Sequence, residues 1–146
     1  MSQLTFSMPT GELKLTVVIG LSGQESAKLL ATGLSIPTPV WANGFIDTGT
    51  NITCVARRVL QGLGLSPSGS TKTQTARGQV SVNLFEVSLG IPPAGNLPGP
   101  MLTRSDLVVM ELAAPIPDVE VLIGLDILLD CRLLLDGPAR QFTLDF

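Results

Sequence analysis

The chain has 146 residues, enough for one domain with a substantial core. Hydrophobic residues make up 45% and charged residues 14%, with a mean hydropathy of +0.43, an oily balance that points to apolar surface covered by another subunit. A net charge of −3 with scattered Lys and Arg argues against a nucleic-acid partner, and the absence of any histidine excludes Ser-His-Asp and Cys-His chemistry and disfavours a zinc site.

Met1 to Thr5 shows no basic region followed by an apolar stretch, so no secretory signal is read there. No run of 18 apolar residues follows, so no membrane span is expected, and the expected location is the cytoplasm. Residues 11–20 alternate through Leu13, Leu15, Val17 and Ile19 as a half-buried strand does. Ser22-Gly23-Gln24-Glu25 has capping-box spacing, and Ala27, Leu29, Leu30 and Ala31 continue it as a short helix that stops at Gly33, at the surface or an edge. Two prolines make Ile36 to Pro39 a connector into the strand Val40–Ile46. Trp41, the sole tryptophan, is expected to pack its ring.

Phe45-Ile46-Asp47-Thr48-Gly49-Thr50 comes next. An ionised carboxylate straight after two large apolar residues is costly unless it ends a strand in a turn or serves a site. Gly49 allows a tight turn that fixes the angle of the carboxylate, and Thr48 can lock that turn by hydrogen bonding. By itself the triplet also fits an ordinary hairpin turn.

Ile52, Cys54 and Val55 suggest a returning segment, and Ala56 to Leu65 one or two helical turns with a glycine stop, on which Arg57-Arg58 read as a solvated face. Ser66 to Ser70 is a loop. From Thr71 to Leu89 a polar stretch gives way to alternating Val80, Val82 and Leu84, a hairpin with its tip near Ala76-Arg77-Gly78. Ile91 to Pro100 is a proline-rich surface loop, Val108 to Leu112 a core strand, and Ala114 to Asp118 a connector. Val121-Leu122-Ile123 forms a second inner strand, and Gly124 permits close backbone approach. Asp126 opens a short helix, Ile127 to Cys131, as an N-terminal acid. The last fifteen residues read as two strands around an Asp136-Gly137-Pro138 turn, apolar enough to call for a subunit interface. Cys54 and Cys131 sit beside apolar residues as core thiols, with neither metal nor disulfide spacing. No cofactor and no metal are expected.

Phe45-Ile46-Asp47-Thr48-Gly49, followed about 75 residues later by Val121-Leu122-Ile123-Gly124 and a short helix, resembles the retropepsin-like aspartic proteases in their single-domain, bacterial or Ddi1-like form. The resemblance runs over roughly residues 40 to 146. It implies an all-β, closed β-barrel-like acid protease fold with one or two short helices. It also implies one domain over 1–146, in which 1–39 is a strand and helix elaboration and 40–146 the protease core. Asp47, Thr48 and Gly49 would be the catalytic loop, with Ile123 and Gly124 supporting it. Thr75, Ala76, Arg77 and Gly78 would form the flap over bound peptide. Thr50 stands where alanine or serine is commoner, and Leu125 where viral members commonly carry an arginine, so viral dimer contacts are not carried over.

With no histidine, hydrolysis must run on carboxylates, and two that share one proton can activate water and polarise a carbonyl. The chain has one Asp-Thr-Gly, so the resemblance implies a homodimer with Asp47 from each copy on the two-fold axis. The expected function is thus a homodimeric aspartic endopeptidase acting on peptide or protein substrates. The alternatives are a peptide-binding or scaffolding protein of the same fold, and an unrelated β-domain in which the triplet is only a turn.

Overall fold

The alternating apolar residues resolve into ten strands and three short α-helices in the computed structural model, which describes residues 1–146 apart from the side chain of Asn96. In chain order these are β1 (Gln3–Ser7), β2 (Lys14–Leu21), α1 (Gly23–Ala31), β3 (Val40–Ile46), β4 (Cys54–Val55) and α2 (Arg57–Gly62). There follow β5 (Gly69–Thr75), β6 (Gly78–Ile91), β7 (Leu102–Glu111), β8 (Val121–Ile123), α3 (Leu125–Leu128), β9 (Arg132–Asp136) and β10 (Gln141–Asp145).

Six strands close a barrel in the order β2-β3-β8-β4-β7-β6, with β6 returning to β2 through pairs from Val18↔Gly90 to Leu21↔Val87. Closure removes the open edges that a six-strand sheet would otherwise expose. β3 runs parallel to β8, and β4 parallel to β7; the other pairs are antiparallel. β5 hangs on the outer edge of β6 as a hairpin. A second sheet, β1-β10-β9, joins the two ends of the chain.

Strand alternation decides which side chains fill the barrel. Leu15, Val17 and Ile19 point in from β2, Val121 and Ile123 from β8, Val55 from β4, and Val87, Leu89 and Ile91 from β6; all are buried. Phe6 of β1 stacks on Phe142 of β10 with ring centroids 5.1 Å apart, and with Leu144 these rings belong to the same core. At about 25 cal/mol per Å² of apolar surface, this continuous cluster is the main stabilising term of the fold.

Several expectations change. β1 was not anticipated, and β2 is an integral barrel strand, so the boundary at residue 40 does not separate an elaboration from a core. Of residues 1–39, α1 and the connector after it belong to neither sheet. There α1 buries none of its residues, Ser22 Oγ accepts the Glu25 amide at 3.2 Å as its capping spacing predicts, and Gly33 ends it at φ +73°. Trp41 does not pack its ring: it is 58% exposed, because β3 turns Ala42 and Gly44 into the barrel and Trp41, Asn43 and Phe45 to the other face. Arg57 and Arg58 are exposed, yet each is paired, Arg57 with the buried Glu111 and Arg58 with Glu120. Among the described residues, no helix is long and apolar enough to cross a membrane.

Candidate active site

Asp47 leaves the end of β3 where β3 and β8 run side by side in parallel, with Ile46 opposite Ile123. The Asp47 amide donates to the Ile123 carbonyl at 2.9 Å, so β8 fixes the point at which the chain turns. The Gly49 amide then donates to Asp47 Oδ1 at 2.9 Å, and the Thr50 amide to the Asp47 carbonyl at 3.4 Å. A Cβ on Gly49 would lie 3.1 Å from Oδ1, which is why a side chain there would crowd the carboxylate. Asp47 is half-buried, while Thr48 and Gly49 are exposed. The loop thus holds one carboxylate oxygen and turns its own tip outward.

Gly124 closes the loop from behind. A Cβ there would sit 2.9 Å from the Thr50 carbonyl oxygen and 3.0 Å from the Ile52 carbonyl carbon, both backbone atoms. The close approach expected of this glycine is therefore present. Beyond it, the Leu125 amide donates to the Thr50 carbonyl at 2.9 Å and the Asp126 amide to the Asn51 carbonyl at 3.1 Å. Ile123 and Gly124 thus reach the Asp47 loop through main-chain contacts.

Thr53 completes this clamp and was not singled out from the sequence. It is fully buried. Its amide donates to Asp126 Oδ2 at 2.9 Å, its hydroxyl to Asp126 Oδ1 at 2.7 Å, and the same hydroxyl accepts the Gly124 amide at 3.1 Å. Asp126 does stand in the first turn of α3, as expected, but both its oxygens are engaged by Thr53 rather than by the helix end alone. A carboxylate held this way is a brace, not a second acid. The signal lay in the pairing of a threonine with an acid 73 residues away, which no local pattern displays.

Cys54 lies buried next to this clamp, its thiol donating to the Ile52 carbonyl at 3.4 Å. Burial pushes the thiol above its ordinary range, an effect opposed by the Thr50 hydroxyl and reinforced by the charges of Asp126 and Asp47. Among the described residues, no three Cys, Asp or Glu side chains converge as a metal site would need.

The registers place a single cross-strand row beside Asp47: Phe45, Leu122, Cys54, Met110 and Leu84, from β3 through β8, β4 and β7 to β6. Paired residues share a face, so this row lies opposite the barrel interior, and Asp47, two residues after Phe45, follows it in strand parity. Val82 and Val80 continue the same face from Leu84 into the β5–β6 hairpin, opposite Thr71 and Thr73. At the tip, Thr75 pairs with Gly78 across Ala76 and Arg77; the Thr75 hydroxyl donates to the Gly78 carbonyl at 2.8 Å and accepts the Arg77 amide at 3.2 Å. Gly78 takes φ +108°, a conformation that disfavours any side chain. Thr75 and Gly78 therefore share the sheet face on which Asp47 lies, with Ala76 and Arg77 as the turn between them.

A separate cleft of about 660 Å³ between α1 and residues 63–68 contains Glu25 and Glu86, away from Asp47.

No protein family and no curated protein matches the sequence. Among solved structures, a retropepsin-like aspartic protease from Rickettsia conorii superposes with a TM-score of 0.60 at 11% identity, covering 97% of this chain and 89% of that one. The retroviral protease-like domain of Ddi1 from Leishmania major gives 0.46 at 17% identity, covering 90% and 87%. The simian foamy virus (mac) protease gives 0.41 at 13%, covering 77% and 89%. At these identities the first likeness shows the fold: this chain has the retropepsin-like fold.

Proposed function

We propose that the chain is an aspartic endopeptidase that works as a homodimer, hydrolysing peptide bonds with water activated between two Asp47 carboxylates. One observation carries this reading. Asp47 stands at the exit of an inner strand with Oδ1 held by Gly49, within a fold shared with a described aspartic protease.

A single carboxylate cannot both take a proton from water and polarise the scissile carbonyl. The chain has one Asp-Thr-Gly, and Asp126 is engaged by Thr53, so the second acid comes from a second copy. Like charges a few ångströms apart cannot both ionise, so the pair shares one proton. The ionised Asp47 takes a proton from water as that water attacks the carbonyl carbon. The protonated Asp47 donates to the carbonyl oxygen, and the resulting tetrahedral species collapses with proton delivery to the leaving amine. Gly49 keeps the carboxylate aligned. Thr48, exposed on the loop, would bond across the dimer. Ile123 and Gly124 hold the loop from behind, and Thr75, Ala76, Arg77 and Gly78 close over a peptide lying along the apolar row.

Digestion of a peptide library by the purified protein from pH 3 to 8 tests this. Cleavage should follow a bell in pH, since one acid must be ionised and the other protonated, and such dyads work at roughly pH 4–6. A folded dimer that binds peptides without cleaving any across this range would instead favour a peptide-binding or scaffolding role.

A further inference from the structure

The cleft of about 660 Å³ between α1 and residues 63–68 has Leu29 and Leu34 on one wall and Leu65 and Pro67 on the other. α1 buries none of its residues and Leu34 is exposed, so these apolar walls stand open to solvent. Among the described residues, Glu25 and Glu86 line the cleft and no lysine or arginine does. Lys28 reaches Glu25 at 3.8 Å from the exposed side of α1, while Glu86 has no ion pair among the described residues. Both walls are anchored. The Gln24 amide donates to Asp106 Oδ1 at 3.1 Å, and the Ser68 amide to the Leu84 carbonyl at 2.8 Å. The second bond ties the cleft to Leu84, the last member of the apolar row beside Asp47.

The strand registers connect the cleft to Asp47. Glu86 pairs with Val108, each two residues from the Leu84–Met110 pair and on the same face. By the parallel register of β4 and β7, Ile52 stands beside Val108, and its backbone meets Gly124 behind the Asp47 loop. Ile52 is 37% and Val108 45% exposed, so an apolar track leads from the loop to Glu86. From β3 through β8, β4 and β7 to β6 the sheet takes four inter-strand steps. At about 4.8 Å each these span about 19 Å, the reach of about six residues of extended peptide.

An occupant of this cleft must bring apolar side chains to its walls and a positive charge to its carboxylates. Lys or Arg beside a leucine offers both, since the long stem is apolar and only the head is charged. A peptide that crosses the apolar row arrives at the cleft with such residues well away from the bond to be cut.

We infer that the cleft binds a distal segment of the substrate, about six residues from the scissile bond, in which Lys or Arg adjoins apolar residues. The inference rests on the peptidase reading proposed above and adds what a substrate carries beyond the cleaved bond. Each copy of a symmetric dimer has one such cleft, so either end of the substrate can supply the segment. Contacts this far from the reacting atoms persist unchanged through the reaction, so they lower KM and leave kcat alone.

Kinetics with the best library peptide test this in three forms. The core peptide is compared with one extended at each end by a segment carrying leucine and arginine, and with one carrying leucine and glutamate. In the wild type, kcat/KM for the arginine form should exceed that of the core peptide by about tenfold, through KM. The glutamate form should do no better than the core. Glu86→Lys should abolish the arginine advantage and favour the glutamate form, while the core peptide, cleaved as by wild type, reports an intact fold. Glu86→Gln should fall between. Equal kcat/KM for the arginine and glutamate forms in the wild type would overturn this inference and leave the peptidase standing. So would a Glu86→Lys variant that keeps the arginine advantage, or one that instead breaks an assembly larger than a dimer and so gives the cleft to another copy. Failure to cleave any of the three forms would overturn both readings.

Discussion

Thr53 grips both oxygens of Asp126 across 73 residues of sequence, through its amide at 2.9 Å and its hydroxyl at 2.7 Å. The same hydroxyl accepts the Gly124 amide, so one buried threonine ties the segment after β8 to the segment after the Asp47 loop. Removing the acid leaves two buried donors without a partner, and hydrogen bonds to a charged group are worth about 1.5–3 kcal/mol. Asp126→Ala should therefore destabilise the protein by about 3 kcal/mol in urea unfolding and lower cleavage by loosening the loop. Asp126→Asn retains an acceptor and should cost about 1 kcal/mol while keeping measurable activity.

Gly124 makes a different demand, for space rather than for a bond. An alanine Cβ would press on the Thr50 and Ile52 backbone, which cannot swing aside as a flexible side chain would. Overpacking of this kind costs about 1–3 kcal/mol. Gly124→Ala should lower the melting temperature and, because the displaced atoms belong to the Asp47 loop, reduce kcat more than it raises KM. Unchanged kcat with full stability would show that the loop does not depend on this contact.

Asp145 links the terminal sheet to pH. The Gln3 amide, at 2.8 Å from Oδ1, and the Arg132 guanidinium on Oδ2 hold its carboxyl below the usual carboxylate range. A carboxylate depressed in the folded state contributes stability that is fully present above its unfolded value, about 3.9, and is lost as pH falls through the lower folded value. The stability difference between wild type and Asp145→Asn should accordingly be largest near neutrality, still present at pH 5, and shrink towards zero below about pH 3.9. A difference independent of pH would remove Asp145 from this role.

The two thiols should differ in reactivity. Cys54 is buried beneath the Asp47 loop and Cys131 is half-buried, and in both burial is the largest effect raising the thiol above its ordinary range. Since the thiolate is the reactive form, both should resist alkylation at pH 7. Cys131 should react first, and Cys54 only at the rate of unfolding, as mass spectrometry of timed samples would show. Rapid labelling of Cys54 in the folded protein would contradict its burial.

The elements legible in the sequence were those whose physics is local. Alternation along Leu15, Val17 and Ile19 marks β2, Ser22 and Glu25 mark the start of α1, and the glycine after Asp47 and Thr48 marks a turn at a strand end. What stayed hidden depends on partners far along the chain. β1 is five residues long and is defined by pairing with β10, from Gln3 opposite Asp145 to Ser7 opposite Gln141. Trp41 looked like a core residue by its size, but the parity of β3, set by Gly44 against Val17, turns it outward. Thr53 resembles any other threonine until Asp126 is brought to it. The hairpin of Thr75 to Gly78 was visible from its glycine and alternation, whereas its alignment with the face of Asp47 appears only once the registers of five strand pairs are known.

Substitution of Asp47 tests the central claim most directly. Asp47→Asn preserves size and can still accept the Gly49 amide, but it cannot take a proton from water. Cleavage of the best library peptide should fall to background while sedimentation and melting show an intact, folded dimer. Relief of repulsion between the paired acids should leave that variant at least as stable as wild type near neutral pH. Full peptidase activity in Asp47→Asn would contradict the account.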